Sequence, residues 1–304
     1  MLVWVVGSGG MLGSALVLRA RAQAADVFDA TPVPWADPVA AQQVLRADAE
    51  RLADTAGDRD WAVMWAAGAS VVSSGAHGVD AERAALRTLL GRIADRPPAG
   101  PGAVFVTSSA GGVYAGSSGP PFSTDSEPRP ISPYGQLKLD QETDARELLD
   151  GRIPLVLGRF SNLYGPGHNT EKGQGLIAML CRACVRRAPL NLYVPMDTVR
   201  DYLYVDDAAD LAWRATMSAV GERPAGVHVE VIASGRAATV GEVIATIQAV
   251  AHRRVPLALG TDASARHQVP DLRLVPSVDV DASTLTPLPA GIKRVFDAAI
   301  SRAV

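Results

Sequence analysis

Disulfide bridges, membrane spans and a strong charge of either sign are all missing from this chain of 304 residues. Its two cysteines, Cys181 and Cys184, are too few for a disulfide framework on which a fold could rest. Their Cys-x-x-Cys spacing offers two of the four ligands that a structural zinc needs, and no second Cys or His pair follows, so no metal site is expected. A redox use of that spacing belongs beside a first βαβ unit. This pair instead falls in a distal amphipathic stretch, Leu176 to Arg187, and reads as two small, half-buried helix residues. No segment reaches the ~18 uninterrupted apolar residues of a membrane span. The opening residues, Met1 to Gly7, lack the basic start and small-residue cleavage site of a signal peptide and read as a buried strand, so a cytoplasmic protein is expected. A formal net charge of -3 gives no reason to expect nucleic acid or an anionic membrane as partner. The lone histidines His77 and His168 read as surface loop residues.

What the chain does have is a strand, a glycine loop and a helix in immediate succession. The apolar run Leu2 to Val6 stops at Gly7-Ser8-Gly9-Gly10-Met11-Leu12-Gly13, and a helical pattern of Leu12, Leu16, Val17 and Ala20 follows. That context makes a glycine pattern a phosphate site. Gly7 permits the turn, Gly10 lets the backbone approach a pyrophosphate, and Gly13 lets the helix pack close on the strand. Met11 and Leu12 then open a helix whose N-terminus faces the anion.

Asp26 to Thr31 reads as a second strand, and Asp29 is the candidate to bind the adenosine ribose hydroxyls and select NAD. If Asp29 lies inside the strand, Thr31 takes the strand tip instead. No Arg or Lys falls between residues 22 and 45 to receive the 2′-phosphate of NADP, which is nonetheless left open. Pro38 to Leu52 reads as a helix. Trp61 to Gly68 is a buried strand ending in Ala66, Ala67 and Gly68, small enough either to let a cofactor lie over the strand end or simply to pack tightly. Ala81 to Ala94 is a further helix, and Ala103 to Ser109 a further strand whose terminal hydroxyls fall on the ligand edge of a parallel sheet.

Ser132-Pro133-Tyr134-Gly135-Gln136-Leu137-Lys138 places a phenol and an ammonium four residues apart where a helix begins, hence on one face. A free tyrosine, with a pKa near 10, is a poor acid or base at neutral pH unless a fixed positive charge stabilises its phenolate. Lys138 can supply that charge. Taken alone, Tyr-x-x-x-Lys is equally an ordinary solvated helix face.

Taken together, the motifs resemble the extended short-chain dehydrogenases/reductases, the NAD-dependent epimerase/dehydratase family of nucleotide-sugar enzymes. The residues that carry the resemblance are Gly7-x-x-Gly10-x-x-Gly13, Ser108 to Tyr114, Tyr134-x-x-x-Lys138, Arg159 to Gly167, Val199 to Asp207 and Gly291-Ile292. They span nearly the whole chain. The resemblance implies an α/β fold, a Rossmann-type doubly wound parallel sheet with a smaller interleaved C-terminal substrate-binding lobe. Residues 1–163 plus 191–232 are expected to form the dinucleotide-binding domain, and 164–190 plus 233–304 the lobe. It further implies NAD as cofactor and a nucleotide-sugar as substrate, with the oligomeric state open and a homodimer among the options. By the same resemblance Tyr134 is the catalytic base, Lys138 lowers its pKa and holds the nicotinamide ribose, and a hydroxyl at the strand end completes the site. Ser109 lies at the 25-residue offset from Tyr134 usual in sugar epimerases, whereas counting back from Val113-Tyr114 gives Ala110. Asn162 matches a residue that touches the nucleotide-sugar. Arg200 matches one that pairs with the diphosphate, its other reading being a salt bridge to Asp201 or Asp206. Arg266 and Arg273 compete for a further diphosphate contact.

The departures bear on mechanism. The family often carries an Asn within the helix at Glu82 to Leu90, and here that helix has none. Family dehydratases place an Asp-Glu pair just after the strand hydroxyl, where this chain has Ala110-Gly111-Gly112, so no carboxylate stands there to drive elimination. Transient oxidation at C4 with return of the hydride is therefore the leading expectation, reduction of a 4-keto sugar the second. The reading from another class is a non-catalytic dinucleotide-binding sensor, against which the intact Tyr134 and Lys138 argue.

Overall fold

The structure, a computed structural model, describes residues 1–68, 76–168, 175–221, 224–260, 269–279 and 281–302. Along the chain, β1 (Leu2–Val6) leads through the glycine loop into α1 (Met11–Ala22), β2 (Asp26–Val27), α2 (Pro38–Ala56), β3 (Trp61–Trp65), α3 (Ala76–Asp95) and β4 (Gly102–Ser109). A short α4 (Ala110–Val113) and a long α5 (Pro133–Leu149) precede β5 (Leu155–Phe160) and β6 (Asn162–Tyr164). Then come α6 (Leu176–Arg186), β7 (Leu190–Leu192), β8 (Val199–Tyr204), α7 (Val205–Ala219) and β9 (Val227–Ile232). The chain closes with β10 (Ala237–Thr239), α8 (Val240–Ala251), β11 (Leu257–Leu259), β12 (Asp271–Leu272) and α9 (Leu288–Ser301).

Six strands form one parallel sheet in the order β2-β1-β3-β4-β5-β9, the doubly wound α/β architecture expected. β1, β3 and β5 are buried along their whole length, as strands covered by helices on both faces must be. Alternate residues feed two cores. Trp4, Val63, Trp65 and Val106 pack with α2, α3 and α5 on one face. Val3, Val5, Met64 and Phe105 pack with α1 and α7 on the other. Because the chain steps from β1 outward to β2 and then back past β1 to β3, the topological switch point lies between β1 and β3. Ligands of such sheets collect beyond the strands' carboxyl ends at that point.

A third core joins Tyr164, Leu180, Leu192, Ile244, Ile292 and Phe296 from β6, α6, β7, α8 and α9. β8 serves two cores by strand alternation: Leu203 packs under the large sheet, whereas Tyr202 and Tyr204 face the third core. Cys181 and Cys184 lie buried and unbridged on α6, and burial pushes the Cys181 thiol up to about 12, which keeps it protonated and inert.

Four elements differ from expectation: β3 stops at Trp65 rather than Gly68, α3 spans Ala76–Asp95 rather than Ala81 to Ala94, and β2 and α2 also end elsewhere. β2 ends at Val27 rather than Thr31, because the Ala30 N–H turns back to the Phe28 carbonyl and Thr31 bonds through its N–H and hydroxyl to Asp48. α2 runs on to Ala56 and stops at Gly57, whose φ of +54° is a left-handed conformation that L side chains disfavour.

The glycine loop is pinned by contact. A Cβ at Gly7, where φ is +88°, would lie 2.6 Å from the Ala67 nitrogen, and one at Gly13 would lie 2.1 Å from the Gly7 carbonyl oxygen. Gly13→Ala should therefore cost about 1–3 kcal/mol of folding free energy, since only backbone can move aside. Gly10→Ala, whose Cβ would meet only the Gly7 oxygen at 3.4 Å, should cost under about 1 kcal/mol. Urea unfolding of the two variants measures the difference, and equal losses would show that α1 is not pressed against the loop.

Candidate active site

The Ser132 hydroxyl accepts the Gly135 N–H at 3.1 Å, and Pro133 fills the first turn, so α5 starts one residue before Tyr134. Tyr134 and Lys138 then share a face, with Nζ 5.8 Å from the phenol ring centroid. The start of α5 rests directly on α4: a Cβ at Gly135 would lie 2.3 Å from the Gly112 carbonyl oxygen. One at Gly112 would lie 3.3 Å from Tyr134 Cε1 and 3.4 Å from Ser109 Cβ, so the phenol and Ser109 flank the same glycine. Ser109 Oγ accepts the Gly112 N–H at 3.1 Å as the cap of α4, which leaves its own proton free to donate. Ala110 is wholly buried. Asn162 joins the group through Gly111, where a Cβ would lie 3.8 Å from its Oδ1.

On its other side Lys138 reaches toward the glycine loop. The residue is 4% exposed, and Nζ donates to Glu82 Oε1 at 3.0 Å and to Gln141 Oε1 at 2.9 Å. Gln141 Nε2 donates to the same Glu82 oxygen at 3.2 Å. Burial works against the ammonium, and the Glu82 carboxylate overcomes it, holding Lys138 above the ordinary lysine range. The stabilisation this contributes is present below the ordinary value of 10.5 and is lost as pH rises through the folded value. Gly68 lies against the carboxylate: a Cβ there would be 3.5 Å from Oε1. Gly68 follows Ala66 and Ala67, which touch Gly7, so contacts run without a break from the glycine loop to Tyr134. Gly9 and Gly10 are exposed, Leu12 faces the core, and Met11 approaches Gly165, where a Cβ would lie 3.7 Å from its Sδ.

Beneath the site runs a buried network that sequence reasoning missed. Arg159 on β5 grips Glu142 on α5 with two donors, at 2.9 and 2.6 Å, and donates to the Tyr114 hydroxyl at 2.7 Å. Ser108 donates to Glu142 at 2.5 Å, and Tyr114 to the Ser123 carbonyl at 2.6 Å. Burial opposes the Arg159 charge, but bonding to Glu142 outweighs it and leaves the guanidinium raised. Burial pushes the Tyr114 phenol up, with Arg159 partly offsetting it.

Several expected residues stand apart. Asp29 is exposed beyond β2, and its carbonyl accepts from Arg51 at 2.7 Å. Arg51 also pairs with Asp48 at 2.8 Å and stacks 4.8 Å over Phe28, so α2 brings to the tip of β2 a cation that the sequence window missed. Arg200 lies on β8, where burial pushes its guanidinium down while Tyr202 and Asp271 hold it up. Its alternative partner Asp201 is wholly buried and accepts from the Ser234 N–H and hydroxyl, both at 2.9 Å. Arg273 pairs with Asp271 at 2.8 Å, and Arg266 lies outside the described residues. His168, expected at the surface, is half-buried, which pushes its imidazole down. His77 falls within α3 rather than a loop. Among the described residues no cluster could hold a metal ion, and no helix is long and apolar enough to cross a membrane.

A glycine loop at the switch point of a doubly wound sheet is the architecture of the dinucleotide-binding α/β proteins. The chain belongs to the NAD dependent epimerase/dehydratase family, whose model matches residues 3–229. It is 32% identical over 150 residues to dTDP-L-rhamnose 4-epimerase of Burkholderia thailandensis, covering 48% of this chain and 40% of that one. It is 30% identical over 150 residues to dTDP-4-dehydro-6-deoxyglucose reductase of Escherichia coli, covering 47% and 44%. UDP-glucose 4-epimerase of Azospirillum brasilense is 32% identical over 165 residues, covering 50% and 47%. The chain thus spans less than half the length of each of these relatives. Among solved structures, MoeE5 in complex with UDP-glucuronic acid and NAD superposes with a TM-score of 0.76 at 25% identity, covering 100% of this chain and 99% of that one.

The Arg159–Glu142 pair yields a direct expectation. Arg159→Met leaves a carboxylate buried without its partner and should cost about 3–5 kcal/mol, whereas adding Glu142→Leu should recover much of that loss. Thermal unfolding of the single and double variants checks it, and additive losses would contradict it.

Proposed function

We propose that this protein is a NAD-dependent epimerase that acts on a nucleotide-sugar by transient oxidation at C4, with Tyr134 as the base. The observation that carries the reading is the meeting of Tyr134 and Ser109 at Gly112, with Lys138 beside the phenol and in contact through Glu82 and Gly68 with the glycine loop at the switch point. The small-residue cradle fits a dinucleotide: Gly7 and Gly13 keep the loop close, Gly10 is open, Ala66 and Ala67 pack against Gly7, and Gly68 at the strand end is exposed. Bound NAD supplies the acceptor and later the donor of a hydride. Tyr134 would take the C4 hydroxyl proton on oxidation and give it back on reduction. Ser109 donates to the C4 oxygen, and Lys138 supplies the positive charge beside the phenol and a donor for the cofactor ribose. Asn162, Arg200 and Arg266 are the proposed contacts to the nucleotide-sugar, a guanidinium being suited to diphosphate by its paired donors. Asp29 is the proposed ribose ligand, and Arg51 beside it leaves NADP acceptable. Residues 1–163 plus 191–232 hold the cofactor in this reading, and 164–190 plus 233–304 the sugar, although Leu192, Tyr202 and Tyr204 of the 191–232 segment pack in the third core with the lobe.

A second reading has its own support in the similarity to the Escherichia coli reductase. The same residues would then act in one direction, Tyr134 giving a proton as a 4-keto sugar is reduced. Tight retention of NAD by the purified protein favours the epimerase. Elimination lacks a free acid, because Ala110-Gly111-Gly112 carry none and Glu82 is engaged by Lys138.

Tyr134→Phe keeps the ring and removes the group that takes the proton. Turnover should fall about 10²–10⁴-fold with cofactor binding preserved, and wild-type turnover across pH 6 to 9 would refute the base. Arg200→Ala should weaken nucleotide-sugar binding by about 2 kcal/mol and leave cofactor affinity near wild type. Calorimetric titration of both ligands decides it, since equal loss of both would make Arg200 structural.

A further inference from the structure

We propose that Glu82 is the positioning residue of this site: its buried carboxylate fixes the Lys138 ammonium beside Tyr134 and keeps it charged. The proposal rests on the Tyr134 reading for its kinetic consequences and on geometry alone for the pair itself.

Glu82 stands on the inward stripe of α3, three, four and seven residues before the buried Ala85, Leu86 and Leu89. A carboxylate in that stripe costs several kcal/mol unless it is matched, and the same holds for an ammonium. Glu82 is 7% exposed and Lys138 4%, and the two pair at 3.0 Å. Gln141, 1% exposed, closes a triangle by accepting from Nζ and donating to Glu82 Oε1. The triangle fixes two of the three ammonium donors in direction and leaves the third for a ligand at the strand ends. The neighbouring charges are already committed. Glu142 is held by Arg159, Asp144 by Arg83 and Arg87, and Asp140 by Arg83. Gly68, on the sheet side, brings no charge. Glu82 is therefore the strongest of the groups that keep Lys138 protonated, with the Tyr134 phenol and Glu142 adding to it. Without Glu82, burial draws the ammonium down toward its neutral form.

The test combines Glu82→Gln, Lys138→Met and the double variant. In thermal unfolding of the cofactor-free protein, Glu82→Gln alone strands an ammonium in the interior, so adding Lys138→Met should raise the midpoint. Additive losses overturn the proposal. If Glu82→Gln does not fold, a folded double variant supports the pairing and an unfolded one overturns it. In turnover, the alkaline limb of Glu82→Gln should move about 1–3 pH units lower, and a wild-type profile would overturn the positioning role. The two readings fail separately: wild-type turnover in Tyr134→Phe removes the Tyr134 base, while the unfolding cycle still reports on Glu82 and Lys138.

Discussion

A lysine ammonium shut away from water is the constraint around which the site is arranged. Desolvation penalises that charge by several kcal/mol, and the fold meets it with one carboxylate and one amide drawn from facing helices. The result is a cation that does not wander: Nζ is held at 3.0 and 2.9 Å by groups that are themselves buried. A flexible side chain has become a fixed point charge next to a phenol. Preorganised charge of this kind is worth most where water is excluded, because nothing has to reorient during reaction.

That point charge is useful only because the sheet brings other groups to the same edge. The switch between β1 and β3 opens a crevice, and the absence of side chains at Gly7 and Gly13 lets α1 press its start against the strand ends. The α4–α5 contact at Gly112 and Gly135 does the same for Tyr134 and Ser109. Glycines set the distances in both places, and the buried Arg159, Glu142, Ser108 and Tyr114 network stiffens the floor between β4, β5 and α5.

Much of this was legible in the sequence where the local pattern and the fold agree. β1 falls on Leu2 to Val6, the apolar run that the glycines stop. The glycine loop and the Tyr134 helix start announce themselves through Gly spacing and the Ser132-Pro133 cap. Glu82, Glu142, Arg159, Asp48 and Arg51 were not legible as a set. A charged residue on a helix reads as solvated unless its place in the apolar stripe is noticed, and partners 56 residues apart, as Glu82 and Lys138 are, show no local pattern. The stripe of Ala85, Leu86 and Leu89 was the available clue. In the helix that lacks the family's Asn, the structure puts a carboxylate against Lys138. The early end of β2 depended on Asp48, another contact invisible to a window of neighbours.

Hydride transfer at the Tyr134 edge is the central claim, and isotope tracing tests it most directly. A UDP- or dTDP-hexose deuterated at C4 should return from the NAD-loaded protein as a mixture of C4 epimers with the deuterium kept at C4. Absence of inversion across such sugars, together with no transfer of label from deuterated NADH to a 4-keto nucleotide-sugar, would contradict the account.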